Sequence, residues 1–128
     1  MSRAVLDASA IMAAVHREPG DGKVEEALDA GAVVSAVNLA EVVRKYSRGG
    51  APLSGIREIL SGLRLEVVPF DIEQAYRAGA WEPQFDALGL SLGDRACLSL
   101  AHMLKLPVMT ADRQWAKLRI GLDIVLIR

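Results

Sequence analysis

The amino-acid sequence predicts an α/β fold, a three-layer α/β/α sandwich around a parallel sheet of about five strands. Three observations predict it. Short Val- and Ile-rich runs alternate with longer stretches of helical periodicity. The strand-like runs are apolar at consecutive positions, as in strands buried on both faces. The 128 residues are 52% apolar, enough to give residues 1–128 one domain with a sizeable core.

The candidate strands, in order, are Ala4 to Leu6, Ala32 to Ser35, Leu65 to Phe70, Pro107 to Thr110 and Asp123 to Ile127. Between them, Val24, Ala27 and Leu28 show the i, i+3, i+4 spacing of a one-sided helix, as do Leu39, Val42, Val43 and Tyr46, and Ile56, Ile59, Leu60 and Leu63. From Ser91 to Lys105 the apolar residues, Leu92 and Leu104 included, cover most of the helical circumference, which predicts a largely buried helix. Pro19-Gly20, Gly49-Gly50 followed by Pro52, and Pro107 punctuate these elements.

Composition narrows the function classes. A single Cys excludes an internal disulfide and fits a reducing compartment. The opening residues, with Arg3 and Asp7, do not form a signal peptide, and no stretch approaches the roughly 20 apolar residues of a membrane span. A cytoplasmic setting is expected. Fifteen basic against sixteen acidic residues, a formal charge of −1, give no whole-molecule basic field, so an anionic substrate would need a local patch or metal ions.

In an open parallel sheet, ligands bind beyond the carboxyl ends of the strands, where strand order reverses. Asp7 ends the first candidate strand and Asp112 follows the fourth; Glu41 lies in the helix after the second, and Asp94 in the first turn of the buried helix. Each acid also has a structural reading. Asp7, Asp94 and Asp112 fit helix caps, and Glu41 fits an i, i+4 pair with Lys45. Brought together, four carboxylates would take up protons or hold cations, since like charges ~4 Å apart repel by ~4 kcal/mol at an effective dielectric near 20. An all-oxygen set without His or Cys suits Mg²⁺ or Mn²⁺, and that chemistry matches phosphodiester hydrolysis. Arg44, Arg95 and Arg113, with Lys45 and Arg48, are candidates to hold a substrate backbone, each equally readable as solvated surface charge.

Four pieces carry a resemblance: Val5-Leu6-Asp7-Ala8-Ser9-Ala10, Ser35-Ala36-Val37-Asn38-Leu39-Ala40-Glu41-Val42, Ser91-Leu92-Gly93-Asp94-Arg95-Ala96 and Thr110-Ala111-Asp112. In order and spacing they resemble the PIN-domain ribonucleases, and among them the VapC-like toxins of toxin–antitoxin pairs. The resemblance implies a Rossmann-like PIN fold and makes Asp7, Glu41, Asp94 and Asp112 the acidic, metal-binding catalytic quartet. It makes Ser9 and Thr110 supporting hydroxyls, although both also fit helix-start hydrogen bonds. It further implies an Mg²⁺- or Mn²⁺-dependent endoribonuclease acting on transfer RNA or other structured RNA, a homodimer, and a small antitoxin partner.

Two other readings stay open: a PIN-like scaffold that binds RNA or protein without cutting, and a phosphorylatable receiver domain. The second is weakened because Asp7 has no adjacent acid and the last strand runs into Arg128. Asp71 reads as a helix cap, His16 and His102 as packing or surface residues, Cys97 as inert core, and Trp81, Phe85 and Trp115 as core rather than base-stacking residues. The apolar faces of Ile56 to Leu63 and Ile72 to Tyr76 read as either core or self-association surface.

Overall fold

The computed structural model of the chain describes residues 3–80 and 82–128; the reading of Trp81 lies outside them. The chain enters on strand β1 (Val5–Leu6), which stops after two residues because the Asp7 side chain accepts the Ala10 N–H and starts helix α1 (Ala8–His16). Helix α2 (Asp21–Asp29) follows, then strand β2 (Ala32–Ser35), helices α3 (Ala36–Arg48) and α4 (Leu53–Ser61), and strand β3 (Leu65–Val68). Helices α5 (Ile72–Gly79), α6 (Pro83–Ala87) and α7 (Leu92–Leu104) lead to strand β4 (Val108–Thr110), a 3₁₀ turn (Arg113–Lys117) and strand β5 (Ile124–Leu126).

All strand pairings are parallel and the order is β3-β2-β1-β4-β5. The chain winds outward from β1 through β2 to β3, then crosses back to β4 and β5. The reversal therefore falls between β1 and β4, with a crevice beyond their carboxyl ends.

Alternation along the strands divides the core in two. Leu6, Val34 and Met109 face Ala10, Ile11, Val24, Val42 and Ile56, so α1 to α4 cover that side. Val5, Val33 and Val108 face Cys97, Leu98, Leu100, Ala101 and Trp115, so α7 and the 3₁₀ turn cover the other, with Phe85 and Leu88 of α6 packed against them. These are the three expected layers. Gly20 fits the turn between α1 and α2 at φ 93°, with the Ile127 backbone pressed where a Cβ would stand.

Three expectations need correction. Strand β3 ends at Val68, before Pro69 and Phe70, because the chain turns there and Asp71 caps α5 by accepting the Gln74 N–H at 2.9 Å. Helix α7 is buried through Ala96–Ala101, but Leu92 and Leu104, its first and last residues, are 63% and 42% exposed. The Glu41–Lys45 pair does not form among the described residues, because Glu41 turns instead towards Asn38. The two apolar faces also part company. Ile56 and Leu60 are core, whereas Ile72 and Tyr76 are 77% and 76% exposed.

Candidate active site

The acids converge on the crevice edge by separate local rules. Asp7 stands in the first position after β1 and is buried. Its Oδ1 accepts from the Ser9 hydroxyl at 2.6 Å and from the Ala10 N–H at 2.9 Å; its Oδ2 accepts from the Thr110 hydroxyl at 2.5 Å. The two hydroxyls also knit β1 to β4. Ser9 Oγ accepts the Ala111 N–H at 2.9 Å, and Thr110 Oγ1 accepts the Asp112 N–H at 3.0 Å. Ser9 and Thr110 thus bond to the Asp7 carboxylate itself, in addition to fixing local backbone.

Burial raises the Asp7 pKa above its ordinary value; the bonds from Ser9, Thr110 and Ala10 work against that shift, and the charge of Asp94 adds to it. Asp94 lies in a capping box at the start of α7. Its Oδ2 accepts the Ser91 N–H at 3.0 Å while the Ser91 hydroxyl accepts the Asp94 N–H at 3.1 Å. Asp112 caps the 3₁₀ turn through the Gln114 N–H at 3.0 Å. The cap readings of all three aspartates are realised.

Glu41 is placed by a residue to which the sequence reading gave no role. Asn38, on the first turn of α3 and 1% exposed, donates through Nδ2 to Glu41 Oε1 at 2.7 Å and to the Gly93 carbonyl at 2.9 Å. Both partners are acceptors, which fixes the orientation of the amide. The Asn38 Oδ1 is buried with no hydrogen-bond partner among the described residues. Against this clamp lies Gly93, where a Cβ would stand 2.6 Å from the Glu41 carboxylate. The signal in the sequence was Asn38-x-x-Glu41, a polar pair at i, i+3 inside an otherwise apolar stretch.

Cys97 lies one turn below Asp94 in helix α7. Burial holds its thiol well above the usual value, and the charges of Asp7, Asp94 and Glu41 push it further. It belongs to the core, as expected. No ion pair involves any of the four acids among the described residues. As the side chains stand, no three of the described acids, His or Cys are grouped tightly enough to hold a metal ion. Asp7 and Asp94 are electrostatic neighbours, while Asp94 and Asp112 stay tied to their caps and Glu41 to Asn38. Their chemistry nonetheless fits a hard divalent cation: oxygen donors alone, a buried carboxylate with no cationic partner, and spare lone pairs on each acid.

Of the candidate backbone-binding arginines, Arg44 is exposed and bonds to none of the described residues, Arg113 donates to the Arg128 carbonyl at 2.9 Å, and Arg95 donates to the Ala78 and Ala80 carbonyls. His16 is exposed, its ring 5.5 Å from that of Tyr46, and Trp115 is fully buried.

The match that decides the family is to the PIN domain over residues 4–121. The chain belongs to the PIN-domain family. Solved structures share the PIN fold across the whole length. A DNA-bound VapBC from Salmonella typhimurium is 19% identical with a TM-score of 0.77, covering 100% of each chain. VapBC2 from Rickettsia felis, bound to a DNA fragment from its promoter, is 18% identical with a TM-score of 0.72, over 96% of this chain and 97% of the other. VapBC-5 from Mycobacterium tuberculosis, a member of the VapBC family of toxin–antitoxin systems, is 23% identical with a TM-score of 0.63, over 98% and 99%. No curated protein matches in sequence. In this PIN domain the four acids of the resemblance all fall at the carboxyl edge of the sheet.

Proposed function

We propose that this PIN-domain protein is a metal-dependent endoribonuclease, the toxin of a toxin–antitoxin pair, and that Asp7, Glu41, Asp94 and Asp112 form its catalytic centre. The observation that carries the reading is the buried Asp7 carboxylate at the strand-order reversal, fixed by two hydroxyls from separate elements, within electrostatic reach of Asp94 and in no ion pair among the described residues. A purely structural cap has no need of that burial.

Asp7 and Asp94, with Glu41 and Asp112 on either flank, would hold Mg²⁺ or Mn²⁺. When bound, the cation supplies a water of lowered pKa and stabilises charge at the reacting phosphate. The chain's own part is positional. Ser9 and Thr110 hold the Asp7 oxygens so that neither rotates away, and the Asn38 amide holds Glu41 against α7. The caps of Asp94 and Asp112 set the direction of the remaining carboxylates. Outside the four acids the chain carries 15 basic against 12 acidic residues, a balance compatible with RNA once the acids are neutralised.

An antitoxin partner is supported by the toxin–antitoxin complexes among the structural neighbours. A cytoplasmic homodimer acting on transfer RNA or another structured RNA completes the reading. Among the described residues, no helix is long and apolar enough to cross a membrane. The test is incubation of purified protein with transfer RNA and Mg²⁺ or Mn²⁺, beside Asp7→Asn, Asp94→Asn and EDTA controls. Cleavage that depends on both acids and the cation is expected; cleavage that survives the substitutions or the chelator refutes the mechanism. For the toxin role, expression should arrest growth and co-expression of a small neighbouring reading frame should relieve it. Normal growth with intact, stable protein would count against a toxin.

A further inference from the structure

On the face of the sheet covered by α7, away from α1, lies a groove of about 400 Å³ between α5, α6, α7 and the segment after the 3₁₀ turn. Its lining contains Arg77, Arg95 and Arg119, with His102, against one acid, Glu82; Arg77 also pairs on the exposed face of α5 with Glu73 at 3.2 Å. Glu82 commits an oxygen to the Gln84 N–H at 3.1 Å, capping α6. A second groove of about 420 Å³ shares His102 and Leu122 with the first and adds Lys105 together with one acid, Asp123. From Arg95 to Lys105 the cations follow α7 for about 15 Å at its 1.5 Å rise per residue.

We propose that this groove binds the sugar–phosphate backbone of single-stranded RNA running on from the acid-lined edge, a subsite that rests on the nuclease reading above. Arg95 is the junction. It follows Asp94 directly, and its guanidinium is held in place by Nε donating to the Ala78 carbonyl at 2.6 Å and Nη2 to the Ala80 carbonyl at 2.7 Å. It lies 5.3 Å from the centroid of the Phe85 ring, within cation–π range. Its Nη1 donates to none of the described residues and can serve a ligand. Arg119 is held similarly, with Nη1 donating to the Ala116 and Leu118 carbonyls at 2.9 and 3.0 Å.

Spaced cations select a chain of phosphates over one compact anion, which needs donors that converge on a point. The floor beneath them is apolar, with Phe85, Leu98, Ile120 and Leu122. A cationic track over an aromatic and aliphatic floor suits a single strand, whose bases need a surface to lie on. An acidic peptide would use the charges and leave the floor without a partner.

The experiment measures fluorescence anisotropy of a short labelled single-stranded RNA across a salt series with Mg²⁺ present, using the full chain carrying Asp7→Asn so that the probe stays intact. Adding Arg77→Gln and Arg119→Gln should weaken binding at low salt by tenfold or more. It should also reduce the steepness of log K against log salt by about 1.4, about 0.7 for each phosphate that the protein no longer neutralises. Unchanged affinity and slope overturn the proposal. So does polyglutamate binding that depends on the two arginines while RNA binding does not. Lys105→Gln, at an exposed helix end, repeats the test with an expected change of about 0.7 should the double variant melt early. Cleavage by the chain with native Asp7 is scored separately. RNA cutting that is indifferent to the arginines refutes the groove alone, and arginine-dependent binding without any cutting refutes the nuclease alone.

Discussion

Replacing Gly93 by Ala separates the placement of Glu41 from the stability of the fold. A Cβ at position 93 would stand 2.6 Å from the Glu41 carboxylate, whereas ordinary contact begins at 3.4 Å, so the carboxylate must retreat by the difference, roughly 0.8 Å. It is the end of a flexible side chain and can do so, at the cost of its 2.7 Å bond from Asn38. Losing a hydrogen bond to a charged group costs about 1.5–3 kcal/mol, and Ala in place of Gly in a helix returns up to about 1 kcal/mol. The net loss is then about 0.5–3 kcal/mol, a fall in Tm of a few degrees to about 15 °C for a chain of this size. Displacing a catalytic group by about 1 Å costs on the order of 100-fold in rate. Gly93→Ala should therefore fold cooperatively yet cleave RNA about 100-fold more slowly and bind Mn²⁺ more weakly. Gly55→Ala is the control, because its Cβ meets only Pro52 at 3.6 Å, in helix α4; it should keep full activity and a Tm at or above that of the starting protein. Cleavage at the starting rate by Gly93→Ala, with its fold intact, would refute the claim that the bare α carbon holds Glu41 in place.

Other outcomes follow from the same geometry. The raised Asp7 pKa means that the native state binds this proton more tightly than the unfolded chain. Ionisation of Asp7 thus costs stability progressively as pH rises from about 3.9, the unfolded value, through the native one. In EDTA, the Tm of Asp7→Asn relative to the starting protein should be highest at neutral pH and should decline as pH falls towards 4; a pH-independent difference would contradict the shift. Thr110→Val leaves the Asp7 Oδ2 and the Asp112 N–H without their partner. A loss of about 1–3 kcal/mol in urea unfolding is expected, accompanied by impaired cleavage and largely restored by Thr110→Ser. Cys97 should resist alkylation in the native protein at pH 8 and react at once in denaturant, because its thiol is buried and its pKa raised.

The strands were legible because each is a short β-branched run closed by a turn or cap, and the parallel sheet because those runs are apolar on both sides. The exact ends were set by side chains rather than propensity. Asp7 cuts β1 to two residues and the turn into the Asp71 cap shortens β3. Helix α6 left no pattern in the sequence because its five residues, Pro83–Ala87, are too few to show a period. At the site, the acids were visible as residue types, Asp7 and Asp112 after strands and Glu41 and Asp94 in helices, but the Asn38 clamp was not. A polar residue on an apolar helix face shows that it needs a partner without showing which one, and here the partners include a carbonyl 55 residues away. The Glu41–Lys45 expectation failed for the same reason, a local spacing rule overruled by a contact through space.

The bond between Thr110 and Asp7 joins residues 103 apart in sequence, and that separation is also an interval of time. At about 5–20 residues per second, position 110 is added about 5–20 s after position 7. Throughout that interval the nascent chain sits on a machine made largely of RNA while its first carboxylate still lacks the strand that holds it. The carboxylate is held only once strand β4, fourth of the five strands in chain order, has been made. Within one chain, the order of assembly thus leaves Asp7 the first of the four acids to be made and among the last to be fixed.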